Sequence, residues 1–303
     1  MTTVLMWLSA CRPRTLPLTL SPLLVGAALC WQAGQWAWEW AVLMGCTAVL
    51  LQIGANLAND YFDGVNGKDS PHRVGPTRLT GSGLVKPGHV KGAMWGVLGA
   101  AVCLGIPIMI RGGWPIVLVG IASVWAAWGY SGGKRPYGYW GGADGIVWLF
   151  FGPVACQGMV WVMTHRLIMD AWVLGAAQGL VATAVLVVNY IRDETEDRQT
   201  GKRTLVVRFG SRWGYWQYRI GVTGAALISL GWGVYTQQGG LMGVGLVLLP
   251  VSLALGRRVI QPTEHLTTLL GQTARFGLAL AIGHWFSIVA QAVVASGKWS
   301  GPL

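Results

Sequence analysis

Runs of roughly 17 to 22 mostly apolar residues recur along this sequence, and no other feature limits its folding options as strongly, because that length matches the hydrocarbon core of a bilayer. Nine spans can be drawn, at 16–34, 38–58, 92–110, 114–130, 143–163, 170–190, 215–236, 240–256 and 276–296. Only 11% of the residues are charged, against about 25% in soluble domains. Lipid rather than water is therefore the solvent for most of the surface. The expected fold class is all-α integral membrane, with residues 1–303 forming a single transmembrane domain.

The net charge of +11 fits membrane topology better than a nucleic-acid partner. With nine spans, 19 of the 22 basic residues fall on one side and only Arg111, Arg166 and Lys298 on the other. Positive loops stay inside, so the N-terminus and the basic loops are expected in the cytoplasm, with the chain in a bacterial inner membrane. The start, MTTVLMWLSACRPRTLP, lacks the basic-apolar-cleavage pattern of a removable signal peptide. Cys11, Cys30, Cys46, Cys103 and Cys156 show no zinc or redox spacing and read as reduced packing residues.

Two cytoplasmic loops, 59–91 and 191–212, are long and dense in charge, as functional loops often are. They carry a repeat: Asn59 and Asp63 match Asn189 and Asp193 at an offset of 130 residues, and a further acid follows each pair, Asp69 and Asp197. Each Asn–Asp pair is four apart, on one helical face. Seven of the eleven acidic residues lie in these two segments. Carboxylates gathered at the ends of apolar spans repel one another and need cations to remain ionised. Magnesium suits them, because it takes hard oxygen ligands and is commonly held by carboxylates together with substrate phosphates. Arg73, Arg78, Lys202 and Arg203 stand close enough in sequence to share a diphosphate with that metal. The plainer alternative is a solvated loop with ordinary ion pairs. Asp60 has no acidic counterpart, since Tyr190 occupies the matching position, and is expected only to cap or orient its loop.

A third connection, 131–141, lies in the stretch WGYSGGKRPYGYWGGADGI. Its Lys134 could reach the same diphosphate, whereas the structural alternative is a tight interhelical turn with Asp144 as a helix N-cap. Most of the eighteen tryptophans, including Trp7, Trp31, Trp36, Trp38 and Trp40, read as interfacial belt residues. His72 and His89 lack metal-ligand spacing.

Asn59, Asp63 and Asp69, then Asn189, Asp193 and Asp197, resemble the two aspartate-rich motifs of the UbiA superfamily of intramembrane aromatic prenyltransferases. The runs RPRTLPLTLSPLLVG, NDYFD and RDETEDRQTGKRTLVVRFG resemble its dihydroxynaphthoate branch, and the six-residue step from Asp63 to Asp69 suits that branch. The resemblance implies a nine-helix bundle with an internal pseudo-repeat around a central cavity that opens to the cytoplasm and to lipid. It implies magnesium, a polyprenyl diphosphate donor and 1,4-dihydroxy-2-naphthoate as acceptor, joined by ionisation of the allylic diphosphate, attack by the ring carbon and loss of carbon dioxide. Asn59, Asp63, Asp193 and Asp197 would be catalytic. Asp69 and Asn189 would join them as metal ligands; Arg73, Arg78, Lys134, Lys202 and Arg203 would hold the diphosphate. Tyr61, Tyr130, Tyr137 and Arg192 are expected on the acceptor side. The competing readings are another aromatic acceptor, such as 4-hydroxybenzoate or homogentisate, and an ion-coupled transporter, which the loop placement of the acids disfavours.

Overall fold

The computed structural model describes residues 3–69 and 78–295, and every regular element among them is helical. In order they are α1 (Thr3–Ala10), α2 (Leu16–Gln32), α3 (Trp38–Val65), α4 (Pro87–Gly112), α5 (Trp114–Gly129), α6 (Ala143–Phe150), α7 (Pro153–Thr164), α8 (Met169–Arg192), α9 (Glu194–Gln199), α10 (Leu205–Phe209), α11 (Ser211–Tyr235), α12 (Gly239–Arg258) and α13 (Thr263–Ala295), with short 3-10 turns at Pro13–Thr15 and Tyr137–Tyr139. Lipid offers no partner for an exposed amide, so each segment must satisfy its own backbone, which helices do.

Every expected span coincides with a helix, except that 143–163 is two helices, α6 and α7, broken at Phe151 and Gly152. Pro153 causes the break: it cannot donate to the preceding turn and instead starts α7, where a missing N–H is harmless. Among the described residues, seven helical stretches are long and apolar enough to cross a membrane: Val4–Gln32, Trp38–Val65, Pro87–Gly112, Ala143–Thr164, Met169–Arg192, Gly239–Arg258 and Glu264–Ala295. Of the other two expected spans, α5 has 16 residues, about 24 Å at 1.5 Å per residue. The second, α11, is long but carries Arg212 and Arg219.

The most enclosed helix, α8, packs on α2, α6, α7, α11 and α13. Val181, Val185, Val188, Tyr218, Val222 and Leu280 form part of the core around it. A second core joins α2 to α7 and α13 through Val25, Cys30, Cys156, Leu174 and Ile288. All five cysteines are free; Cys30 and Cys156 are packed as expected, while Cys46 and Cys103 are exposed on helix surfaces rather than packing residues.

Helix length places the polar residues. The 28 residues of α3 span about 42 Å, against a hydrocarbon core of about 30 Å. Its surplus turns carry Asn59 and Asp63 to the edge of the apolar layer. The other acidic motif sits at the end of α8 and continues into α9.

Candidate active site

A cavity of about 620 Å³ opens among α2 to α8, with one polar end and an apolar body. Leu51, Val119, Val147, Phe150 and Val154 are among the residues lining the body. Val102 on α4 and Ile121 on α5 also line it, and are 40% and 63% exposed. Arg12, Asn59, Asp63, Arg78, Asn189, Arg192, Asp193, Asp197 and Lys202 line the polar end.

Asp63 is its centre. It is fully buried, and a buried carboxylate needs compensation from every side. Tyr139 Oη donates to Oδ1 at 2.6 Å. Oδ2 accepts from Lys202 Nζ at 3.0 Å and Asn59 Nδ2 at 2.9 Å, and Arg78 Nη2 stands 3.5 Å away. Burial, then the neighbouring Asp63 charge, push the Tyr139 phenol well above the ordinary tyrosine range. Tyr139 therefore remains a donor to that carboxylate.

Asn59 ties three elements together. Its Oδ1 accepts from Arg12 Nη2 at 2.9 Å and from Arg78 Nη2, and its Nδ2 also donates to Ser131 Oγ at 2.7 Å. Asp60 accepts the backbone N–H groups of Leu79 and Thr80, each at 2.8 Å. That is the loop-orienting role expected of it, and it delivers Arg78 to the site.

The second motif meets the first through Lys202, whose Nζ lies 3.0 Å from Asp63 and 3.6 Å from Asp197 Oδ1. Asp193 caps α8 and takes a bidentate pair from Arg192 at 2.6 and 2.7 Å. Asn189 lines the cavity, its amide donating to the Val185 carbonyl at 3.3 Å. Tyr130 and Tyr137 line the wall, edge to face at 5.6 Å.

Several expectations are corrected. Asp69 does not line the cavity; it stands behind Arg78, 3.6 Å from Nε, because Gly81 leaves room for it there. Lys134 and Arg203 line a smaller neighbouring hollow with Lys68 and Trp140 instead of the main cavity. Arg203 is drawn there by its backbone bond to the Tyr139 carbonyl and by the Trp140 ring, 5.9 Å away. Tyr61 is also outside: its ring packs against that of the adjacent Phe62, 5.0 Å away, in an apolar cluster. Asp144 lies inside the first turn of α6, not at its N-cap, and accepts from Gln217. Arg73 falls outside the described residues.

Arg12, Tyr139 and Ser131 were not singled out by sequence reasoning. Arg12 lies in the RPRTLP run, and Tyr139 is the third tyrosine of a stretch in which only two were selected; Ser131 carries no sequence signal of its role.

The donor set fits a hard divalent cation. Carboxylate and amide oxygens line the polar end, and among the described residues no histidine or cysteine does. Among the described residues no three acidic, histidine or cysteine side chains are gathered tightly enough to hold an ion by themselves. The Lys202 ammonium stands between the motifs, on a flexible stem that lets it shift toward an incoming phosphate.

Residues 19–268 match the UbiA prenyltransferase family. The chain is 40% identical to 1,4-dihydroxy-2-naphthoate octaprenyltransferase of Escherichia coli (strain K12), over 67% of this chain and 68% of the relative. Its identity to the protein of the same name from Mycobacterium leprae (strain TN) is 34%, over 96% of this chain and 97% of that one. Among solved structures, a UbiA homolog from Archaeoglobus fulgidus bound to DMAPP and Mg2+ superposes with a TM-score of 0.65 at 13% identity, covering 94% of this chain and 99% of that one. This multi-pass membrane protein belongs to the UbiA prenyltransferase family.

Proposed function

We propose that this chain, as one transmembrane domain, transfers a polyprenyl group from polyprenyl diphosphate to 1,4-dihydroxy-2-naphthoate with loss of carbon dioxide, giving demethylmenaquinol, the hydroquinone form of demethylmenaquinone. The observation that carries the reading is a fully buried Asp63 held between Lys202, Arg78 and Tyr139 where an apolar cavity becomes polar. An apolar chain with an anionic head group fits that boundary. Similarity over 96% of the chain to a protein named for the naphthoate acceptor supports the choice of acceptor.

Arg78 and Lys202 bind the diphosphate, with Arg12 adjoining through Asn59. Asn59, Asp63, Asn189, Asp193 and Asp197 would hold magnesium, and Asp69 would act through Arg78. Magnesium, when bound, supplies Lewis-acid stabilisation of the departing diphosphate. The side chains orient the allylic diphosphate so that its reactive carbon faces the apolar body, where the walls exclude water from the cation. Tyr130, Tyr137 and Arg192 are placed to line the acceptor. No protein nucleophile is required. The electron pair of the broken carbon–oxygen bond leaves with the diphosphate; the aromatic ring supplies the pair of the new carbon–carbon bond, and the bond from the ring to the carboxylate then breaks, returning its pair to the ring as carbon dioxide leaves.

Purified enzyme given equal 1,4-dihydroxy-2-naphthoate and 4-hydroxybenzoate with one polyprenyl diphosphate should prenylate the naphthoate by at least about tenfold, releasing one carbon dioxide per product. Equal turnover, or product retaining its carboxylate, would overturn the acceptor assignment. We place the site and the N-terminus on the cytoplasmic side of a bacterial inner membrane, from the distribution of basic loops. Single cysteines at 131–141 should resist a membrane-impermeant thiol reagent in intact cells and react in inverted vesicles; labelling of intact cells would reverse the orientation.

A further inference from the structure

The two motifs share a second register that aligns Asp63 with Asp197. Each acid is followed five residues later by a lysine with glycine before it: Asp63 to Gly67 and Lys68, Asp197 to Gly201 and Lys202. Both glycines are left-handed, at φ 63° and 76°, a conformation side-chain-bearing residues avoid. In both turns the lysine N–H donates to the aspartate carbonyl at 2.8 Å, closing the turn in the same way.

The lysine side chains then cross between the motifs. Lys202 Nζ reaches Asp63, while Lys68 Nζ donates to the carbonyl of Thr200, two residues before Lys202. Thr200 ends α9, where helix carbonyls lack an internal partner. Lys202 lines the cavity, whereas Lys68 lines only the smaller hollow beside it.

We infer that Lys68 is a positioning residue that clasps the Thr200 carbonyl and so sets the second motif's turn where Lys202 and Asp197 face Asp63. This rests on the reading of Asp63 and Lys202 as part of the diphosphate site. A short helix ending in a glycine turn has few contacts of its own to fix its distance from α3, and the crossed lysines supply two.

The test is binding of farnesyl thiolodiphosphate, an unreactive prenyl diphosphate analogue, with magnesium, to the full chain in nanodiscs by calorimetry. Wild type should bind. Lys68→Met should weaken binding about tenfold, the scale of a lost charged hydrogen bond, and Lys68→Arg should recover to within about twofold. Lys68→Met should raise KM for prenyl diphosphate while kcat stays within about threefold. Because Lys68 acts through the turn that carries Lys202, Lys68→Met added to Lys202→Met should weaken binding no further. Gly201→Ala, which strains the same turn, should mimic Lys68→Met, and it decides the matter should Lys68→Met fail to fold. Wild type that does not bind would overturn the site reading and the inference with it. Wild type that binds while Lys68→Met and Gly201→Ala match it, or single effects that multiply, would overturn the inference alone.

Discussion

The two acidic motifs look alike in sequence and differ in how the structure treats them. In the first, α3 continues unbroken past Asn59 and Asp63, and the Asp63 side chain is enclosed by four donors from four different segments. In the second, α8 stops at Arg192; Asp193 becomes its cap and bonds its own neighbour, while Asp197 sits on the six-residue α9. The Asp63, Asp193 and Asp197 side chains are 0%, 13% and 9% exposed. The first motif is thus an anchored charge and the second an adjustable one, reached through the flexible lysine between them. A site that receives a charged head group through an apolar cavity benefits from both: one fixed carboxylate sets the position, and a looser one follows the ligand.

The comparison is broken most severely at its anchored end. Asp63→Asn leaves Arg78 and Lys202 without the charge they surround, and removing one partner of a buried ion pair costs roughly 3 kcal/mol. Asp193→Asn removes the charge from its bidentate pair with Arg192 and should cost about 1.5 kcal/mol, the scale of a charged hydrogen bond. Thermal unfolding of both variants in one detergent measures the difference, and equal melting temperatures would erase the anchored-versus-adjustable distinction. The smallest effect belongs outside both motifs. Lys134 is exposed in the neighbouring hollow, so Lys134→Met should change kcat/KM by less than about threefold, as expected for a screened surface charge. A larger loss would return Lys134 to the diphosphate.

The sequence reveals the bundle and much of the site because both depend on patterns that survive without three-dimensional information. Lipid leaves few folding options, so apolar length alone locates the spans, and Asn59, Asp63, Asn189, Asp193 and Asp197 converge as their repeat implies. Asp60 was legible through its missing counterpart. What could not be read depended on side-chain direction and on which carbonyls a turn leaves open. Tyr61 stands only two residues before Asp63, yet its ring belongs to an apolar cluster rather than the cavity. Tyr139 was indistinguishable from its two neighbours until the 3-10 turn aimed it at Asp63. Lys134 and Arg203 have the right charge and sequence proximity, but both line the smaller hollow, where the Tyr139 carbonyl holds the Arg203 backbone. The break at Pro153 was visible as a residue and not as a consequence, since proline inside a membrane helix can be tolerated.

The central claim is that the two motifs form one catalytic unit, joined where Lys202 spans Asp63 and Asp197. Prenyl transfer to 1,4-dihydroxy-2-naphthoate by wild type, Asp63→Asn, Asp197→Asn and the double variant, in nanodiscs with saturating magnesium, tests it most directly. Each single change should lower kcat by roughly 10²-fold or more, the scale for lost electrostatic stabilisation of a transition state. The double variant should fall within about threefold of the weaker single variant, as for residues that act as a unit. A double variant whose loss is the product of the two single losses would show two independent sites and contradict the account.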